Sequence, residues 1–494
     1  MLSSSEVERL AHDALKLLEE LGIQIDDDQV RQCCTQKGCT QDSDGRVQVP
    51  RGLIDDMVAF QKRTQEQYER DHELIYSHGP DWTHYLIWIG QVEDMREKNR
   101  KRFSMQAFDC GPTTYYDYQA GAIRPVDTGV FDMMMKFAEA TPEIGYTSMW
   151  YRQDVPPRIE RLASLRRSMD LTTKFTGIEA IYPEVVKYLK EASEILTGDP
   201  GSSVFLAGSE CMIPPLILDE RSARDILARK ACGVHRYHVA SMPTVGVSTP
   251  VTTAAAIVMS AAELLGGMAA CWCVDPEADL SARMIPNIVD MRNGNATTFG
   301  PTYCLLGMGV RQLFQECWGG HCMVEVCFSP TAQRPGLQAV FENAYLTNCR
   351  QQWDERPDIP YGGMGTLYNG ALGSPTQFML DMEIRKAQWT YAQGVEVSDE
   401  TIVFDEVVSV VRNHGNFLTT PHTMMHFREL WGADCFRSDA PTTAWDGSEK
   451  AILDTCDEAW RDNLAKWEPP DWPEDKRDAI DQLVDRAKEE FGID

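Results

Sequence analysis

Eight short apolar segments run along the chain between residues 146 and 366, and each closes on glycine, proline or polar residues. Most lack the alternation of a strand with one face in water, which is typical of parallel strands buried on both faces. Most also precede a stretch of helical period, so this α/β pattern predicts a (β/α)8 TIM barrel. The predicted strands are residues 146–150, 173–178, 204–207, 235–240, 269–274, 296–299, 323–328 and 359–363.

The segments between these strands carry apolar residues three or four positions apart, the spacing that gives a helix one apolar side. Ile159, Leu162 and Leu165 belong to one such set. Helix starts are marked as well, by Asp219 and by Ser374, which is followed by proline in the first helical position. The alternation of strands and helices therefore rests on two independent signals.

A barrel of about 250 residues leaves roughly as many for additions, which we place at both ends of the chain. Residues 1–145 are predicted to hold an amphipathic helix ended by Gly22, a second helix after Pro50, and a β-hairpin of residues 85–89 and 102–108. Residues 146–393 are the predicted barrel. Residues 394–494 are charged and helical in period, so they are predicted to form a helical extension.

The charge of the chain bears on its partners. It holds 75 acidic and 47 basic residues, a formal net charge of −28. A surface this acidic repels a long anionic polymer, so nucleic acid is not an expected partner.

The most apolar stretch, residues 254–274, approaches the length of a membrane span. Ser260, Glu263 and the pair Gly266 and Gly267 divide it, so we predict a buried helix, a turn and a strand rather than a membrane segment. Near the start of the chain, Glu6 interrupts any apolar run of a secretory signal. With fifteen cysteines and no evenly spaced framework, free thiols in the cytoplasm are expected.

Side chains at the carboxyl ends of barrel strands converge on the mouth, where chemistry is expected. The residues there combine aromatic rings with carboxylates and include no hydrolase elbow, P-loop or zinc-protease motif. Aromatic faces bind quaternary ammonium groups with about 0.5–2 kcal/mol each, so such a cavity favours an organic cation. Alternatively, half of the rings pack in the core and two or three contact ligand. The candidates are Trp150, Glu179, Glu210, Phe299, Phe328, Arg334 and Tyr361.

Two kinds of residue cluster in the sequence could supply metal ligands. His422 and His426 have the i, i+4 spacing of a helical zinc pair but lack an evident third ligand. The cysteine clusters around Cys34, Cys273 and Cys322 have no C-x2-C spacing. The expectation is therefore no metal, with structural roles for these residues.

Several motifs in this order resemble the trimethylamine methyltransferase family, and together they extend over nearly the whole chain. Each motif alone is weak, and their common order is what makes the resemblance specific. They are HDALKLLEELGI at 12–23, GAIRP at 121–125, the segment 250–267, DMRNG at 290–294, DMEI at 381–384 and GNFL at 415–418.

The resemblance implies a barrel that moves a methyl group from a methylated amine to the cobalt of a separate corrinoid protein. This chain would then bind no cofactor itself, and its partners would be a cognate corrinoid protein (cobalamin carrier) and a small quaternary amine; a homo-oligomer is left open. Archaeal trimethylamine enzymes of the family carry pyrrolysine, whereas this chain has Cys327, Phe328 and Ser329 where that position is expected. Members without pyrrolysine are similar to glycine betaine methyltransferases, so the expected products are dimethylglycine and methylated cobalt.

A quaternary nitrogen is already a cationic leaving group, so the reaction needs orientation and water exclusion rather than a protein acid or nucleophile. The hypothesis gives Glu179 or Glu210 the role of charge attraction, and Arg334 or a backbone nest that of binding a carboxylate. The aromatic residues that would surround the trimethylammonium group are Trp150, Phe299, Phe328, Tyr361 and Tyr85 from the predicted hairpin.

Three alternatives remain open from the sequence. The same reaction could use proline betaine, carnitine, γ-butyrobetaine or choline. The chain could be a quaternary-amine binding protein without catalysis. A zinc-dependent methyltransferase acting on a thiol or alcohol would need a ligand set that the predicted strand ends do not supply.

Overall fold

The computed structural model describes residues 2–71, 105–108, 111–175, 177–318, 324–326, 330–352, 363–436 and 447–493. These form a mixed α/β fold in which helices predominate and several sheets are parallel. The helices are α1 (Ser4–Glu20), α2 (Asp28–Gln36), α3 (Arg51–Asp71), α4 (Thr128–Ala140), α5 (Pro157–Met169), α6 (Val186–Thr197), α7 (Glu220–Ala231), α8 (Thr253–Val274), α9 (Pro301–Cys317), α10 (Leu337–Gln351), α11 (Pro375–Ala392), α12 (Asp399–Ile402), α13 (Phe404–Arg412), α14 (Pro421–His426), α15 (Glu449–Leu464) and α16 (Glu474–Phe491).

The strands are short and are distributed among several sheets. They are β1 (Gln24–Ile25), β2 (Thr40–Gln41), β3 (Val47–Gln48), β4 (Met105–Ala107), β5 (Thr114–Asp117), β6 (Ala122–Pro125), β7 (Ile144–Thr147), β8 (Ile178–Glu179), β9 (Leu206–Ala207), β10 (Glu210–Ile213), β11 (Ile217–Leu218), β12 (Arg236–Ser241), β13 (Thr244–Val245), β14 (Asp279–Met284), β15 (Asn287–Asp290), β16 (Asn295–Thr297), β17 (Val324–Val326), β18 (Thr366–Leu367) and β19 (Leu372–Gly373).

Parallel pairing links strands that follow one another along the chain. β10, β12, β14 and β17 are adjacent in that order, β4 pairs with β7, and β8 pairs with β9. Single parallel bridges join Thr147 to Phe175 and Ala107 to Met364. Within the described residues these pairings do not trace a closed ring.

Six predicted strands overlap observed ones, namely β7, β8, β9, β12, β16 and β17, whereas the prediction of a strand at residues 269–274 is wrong. Residues 269–274 are the last turns of α8, because the Gly266 and Gly267 pair that suggested a break lies inside a continuous helix. Residues 296–299 coincide with β16, which pairs antiparallel with β15 outside the main parallel sheet. Of the predicted strand 359–363, only Gly363 is described.

The sequence prediction missed the roles of β4 and β14. Along β14, half-buried polar residues alternate with buried apolar ones, so it lacks the apolar run expected of a buried parallel strand. β4 lies in the segment assigned to a hairpin, but it pairs in parallel with β7. The other half of that hairpin, residues 85–89, lies outside the described residues.

α8 is the central helix of the larger core. Among the described residues it is the one helix long and apolar enough to cross a membrane, yet 83% of its most apolar window is buried inside the protein. It packs with residues of α1 such as Val7 and Leu18 and of β12 such as Val239. This burial identifies α8 as an interior helix of the fold.

Two glycines allow α8 to approach its neighbours closely. A Cβ at Gly267 would lie 2.7 Å from Val239 Cγ1 on β12, and one at Gly266 would lie 2.6 Å from Ile23 Cγ2. Real Cβ atoms do not approach carbon atoms this closely, so glycine is needed here for packing.

A second core lies around α4, α11 and the C-terminal helices. The Trp460 ring on α15 packs edge-on against Phe137 with centroids 5.9 Å apart, and Leu483 on α16 is buried in the same core. Because the two cores draw on residues from all three predicted regions, the boundaries at 145 and 393 stay predictions.

Replacing Gly267 with valine tests the close packing of α8. We expect Gly267→Val to lower the free energy of unfolding by about 1–3 kcal/mol, because the added atoms overlap Val239 and Met212. Gly52→Val is the matched control, since a Cβ there meets nothing within 4 Å. Thermal midpoints compare the two variants, and equal midpoints would contradict the packing argument.

Candidate functional site

The main parallel sheet has two different faces. Met212, Val239 and Ala282 point to the side covered by α8, and all three are fully buried. Because strand side chains alternate, their neighbours point to the other side. That side, which we call the polar face, carries Cys211, His238, Ala240, Ser281 and Arg283.

The register of the paired strands places the residues of the polar face in rows across the sheet. Cys211, Ala240 and Arg283 lie opposite one another in one row, and His238 lies opposite Ser281 in the next. His238 Nδ1 lies 2.7 Å from Ser281 Oγ. Cys211, Ser281 and Arg283 are only half-buried, so this face remains accessible while the α8 side does not. The small Ala240 side chain leaves room between its neighbours.

Exposed apolar side chains lie at the carboxyl ends of the same strands. Ile213 ends β10 and is 44% exposed, and Met242 follows β12 and is 49% exposed. An apolar rim beside a polar interior suits a small ligand that has both apolar and polar groups.

Two titratable side chains of the polar face, those of His238 and Cys211, are neutral near pH 7. Burial lowers the pKa of His238 to about 3, and the positive charges of Arg283 and Arg229 act in the same direction. Burial raises the pKa of Cys211 to about 11, assisted by the negative charge of Glu179. The polar face therefore offers neither a thiolate nor a histidine cation.

Glu179 is a predicted site residue whose charge reaches this face. It ends β8, and its charge acts on Cys211. The Tyr151 hydroxyl donates a hydrogen bond to Glu179 Oε2 at 2.9 Å, and the Arg161 guanidinium lies 3.6 Å from the Tyr151 ring centroid. Tyr151 therefore fixes the carboxylate, a role that the sequence analysis assigned to no residue. The signal for it was its position directly after Trp150, at the end of a predicted strand.

Trp150 itself lies in the second core. Its ring is fully buried, contacts Phe108 edge-on with centroids 4.8 Å apart, and lies where a Cβ on Gly373 would be only 2.1 Å away. Its Nε1 has no hydrogen-bond partner among the described residues. The structure thus places Trp150 in aromatic packing, the alternative that the sequence left open.

Glu210 lies on the α8 side of the sheet. Its Oε2 accepts a hydrogen bond from the His238 backbone N–H at 2.7 Å, and its Oε1 lies 2.7 Å from Arg229 Nε. Arg229 also pairs with Asp225 at 2.7 Å. Complete burial raises the pKa of Glu210, and the neighbouring Arg229 opposes that rise. This buried ion pair ties α7 to the sheet.

Phe299 and Arg334 lie in other surroundings. The Phe299 ring packs against Phe341 and Tyr345, with centroids 5.7 and 5.3 Å away. Arg334 is exposed and lines a surface groove of about 560 Å³ together with Tyr118. The remaining predicted site residues, Tyr85, Phe328 and Tyr361, lie outside the described residues.

One set of potential metal ligands occurs in the described part of the chain, formed by His235, Asp275 and Glu277. It lies at the amino end of β12, away from Met242. Asp275 already accepts hydrogen bonds from the Tyr237 hydroxyl at 2.8 Å and the Glu277 N–H at 3.1 Å, and lies 2.8 Å from His235 Nδ1. Protein donors therefore satisfy this carboxylate, and the expected absence of a metal stays a prediction.

The predicted histidine pair on α14 is present. The rings of His422 and His426 are 4.4 Å apart, and His426 Nδ1 lies 2.9 Å from the carboxylate of Glu429. This pair lies in a segment with no buried helix residues.

The chain was compared with known proteins. The family model described as trimethylamine methyltransferase matches residues 1–76 and 99–492. Trimethylamine methyltransferase MttB of Desulfitobacterium hafniense (strain DSM 10664 / DCB-2) is 22% identical over 69% of this chain and 68% of its own length. Glycine betaine methyltransferase of Desulfitobacterium hafniense (strain Y51) is 22% identical over 99% of this chain and 96% of its own. Trimethylamine methyltransferase MttB of Methanosarcina barkeri is 23% identical over 86% and 82%. The family match covers most of the sequence, and the chain belongs to the trimethylamine methyltransferase family.

Proposed function

We propose that the chain transfers a methyl group from glycine betaine to the Co(I) centre of a separate corrinoid protein and releases dimethylglycine. The N–CH3 bond breaks, a Co–CH3 bond forms with the electron pair of cobalt, and the nitrogen keeps its own pair as a neutral amine. The observation that carries the choice of substrate is Arg283 on the polar face, half-buried in a row with Cys211. The relative that aligns with almost the whole chain is named for the same substrate.

We further infer that the parallel strands complete an eight-stranded barrel with the polar face inside. Two observations support this: successive parallel strands pair along the chain, and Ala107 near its beginning bridges Met364 near its end. In such a barrel the carboxyl ends of the strands form the mouth. Ile213 and Met242 would then lie at the entrance.

The chemistry of the polar face fits a substrate that carries one positive and one negative charge. Glycine betaine carries a quaternary ammonium and a carboxylate one carbon apart. The Glu179 carboxylate, held by Tyr151, would attract the ammonium, and the Arg283 guanidinium would bind the carboxylate. Tyr85, Phe328 and Tyr361 remain proposed aromatic contacts for the methyl groups.

The neutral state of His238 and Cys211 also fits this reaction. Loss of a methyl group from a quaternary nitrogen requires no proton transfer. The task of the protein is to orient the methyl group and to exclude water. The corrinoid partner supplies the cobalt nucleophile.

Trimethylamine is the second candidate substrate, because two of the compared relatives are named for it. It has no carboxylate, so its binding would not use the Arg283 guanidinium, whereas a carboxylate-bearing substrate can accept charge-assisted hydrogen bonds from it. Cytoplasmic location belongs to the proposal as well, supported by the free thiols of the cysteines in the described residues.

The central assay follows methylation of a Co(I) corrinoid by absorbance with a panel of methylated amines. We expect glycine betaine to produce methylated cobalt and trimethylamine to produce none. Proline betaine, carnitine, γ-butyrobetaine and choline test the neighbouring substrate classes. The absence of turnover with every quaternary amine, or turnover with trimethylamine alone, refutes the proposal.

Arg283→Gln separates carboxylate recognition from recognition of the ammonium. Removing a charge-assisted hydrogen bond costs about 1.5–3 kcal/mol, so we expect KM for glycine betaine to rise about 10- to 100-fold. Inhibition by tetramethylammonium, which lacks a carboxylate, should change less than about 3-fold. Arg334→Gln in the surface groove is the matched control and should leave both values unchanged. An equal loss for both compounds in Arg283→Gln contradicts the assignment.

The pH profile tests the absence of proton transfer. The pKa of His238 is lowered, so this side chain stays neutral well below pH 7; the pKa of Cys211 is raised, so the thiol stays protonated well above it. We expect kcat with a pre-reduced corrinoid to vary less than about 2-fold between about pH 5.5 and 7. A bell-shaped profile within that range indicates an acid or base that this proposal lacks.

A further inference from the structure

A long segment near the C-terminus is folded but has almost no core. Residues 391–431, which we call the arm, include α12, α13 and α14, and none of these helices has a buried residue. Thr420 is the one buried residue of the arm. Isolated helices this short are marginal in water, so tertiary packing has to stabilise them. Within the described chain, that packing is missing.

The arm carries most of the exposed apolar surface of the described residues. Its large apolar side chains that point into solvent number fourteen, and the rest of the described chain has twelve. They are Tyr391, Val395, Val397, Ile402, Phe404, Val407, Val411, Phe417, Leu418, Met424, Met425, Phe427, Leu430 and Trp431. Monomeric proteins rarely leave apolar patches of this size in water, so the arm is a contact surface.

The apolar stripe of α13 indicates which side of the arm makes the contact. Phe404, Val407, Val408 and Val411 follow one another at helical spacing, with Phe404 70% and Val411 63% exposed. The opposite side of the helix carries charged residues, so its apolar stripe is left uncovered by the described part of the chain.

The base of the arm is fixed to the body of the protein. The arm leaves at the end of α11, and the chain returns to the same helix. There the Glu383 carboxylate accepts hydrogen bonds from the backbone N–H groups of Asp434 and Cys435, at 3.1 and 3.2 Å. Lys386 also pairs with Asp434 at 3.2 Å. The arm is therefore an anchored projection.

We propose that the arm binds a second copy of this chain and forms the interface of a homodimer. Fourteen large apolar side chains amount to on the order of 1,000 Å² per copy, which exceeds the roughly 800 Å² per partner of a standard interface. A transient complex requires that each protein be stable on its own. The arm has no core of its own, so it needs a partner that stays bound. A second copy is present whenever the chain is made and can cover the arm permanently.

The charge of the arm disfavours a membrane as the occupant. Amphipathic helices that lie on membranes carry lysine and arginine on their polar side. Here the segment from 391 to 431 holds six acidic residues against Arg412 and Arg428. An anionic lipid surface would repel it, whereas apolar contact between two arms is strengthened by salt, which screens the acidic groups.

Oligomeric state tests the proposal directly. Light scattering coupled to size exclusion, without substrate, should give the mass of a dimer for the wild-type chain at micromolar concentration. The double variant Phe404→Glu/Val411→Glu should give the mass of a monomer. Val247→Glu/Val251→Glu is the matched control, because both side chains are exposed outside the arm, and it should remain a dimer.

Hydrogen exchange distinguishes loss of the dimer from misfolding of the variant. In the wild-type chain, amides of α13 should exchange at least 10-fold more slowly in the dimer than in the monomeric variant, while exchange in α8 stays the same in both. A wild-type monomer overturns the proposal, and so does unprotected α13 in a wild-type dimer. Recovery of wild-type protein with anionic lipid vesicles overturns it in favour of a membrane. None of these readouts depends on methyl transfer, so the proposed function can fail without affecting them.

Discussion

Close contact between α8 and the parallel sheet is the constraint on which the rest of the structure depends. Gly267 lets the helix backbone approach Val239, and the α8 side of β10, β12 and β14 is consequently sealed. Apart from Glu210, which is paired with Arg229, and Ser241, which is bonded to Glu263, apolar groups fill that side, and the other polar side chains of these strands lie on the opposite side. Arg283 and His238 are thereby held on rigid strands, which position a binding group more accurately than loops do.

The sequence predicted parts of this arrangement because their signals are local. The helix start at Ser374 is confirmed, with its side chain accepting from the Gln377 N–H, and so is the alternation around β12. β14 was missed because its polar residues face a polar interior, whereas the pattern expected of a buried strand is apolar. The prediction divided α8 because its glycines serve packing against Ile23 and Val239, which are 243 and 28 residues away in the sequence, and local periodicity does not report such contacts. Long-range packing decided both cases.

For the candidate site, too, the sequence predicted some residues and missed others. Glu179 was predicted from its position at a strand end and stays a prediction as a site residue, and the neighbouring Trp150 was chosen instead of Tyr151, which donates a hydrogen bond to Glu179. Strand alternation decides which of two adjacent residues faces the core, and a shift of one residue reverses the answer. Arg283 was not found at all, because its strand was not recognised. The family resemblance supplied the reaction class, and the physical positions of residues supplied the proposed recognition of both charges.

A crystal structure of the chain with glycine betaine tests the central claim most directly. Without a corrinoid acceptor the substrate stays intact, so its binding position can be observed. The account predicts electron density on the polar face, with the carboxylate oxygens about 2.7–3.1 Å from the Arg283 guanidinium and the ammonium directed towards Glu179. Glycine betaine bound instead in the groove beside Arg334, with the polar face holding only water, would contradict it.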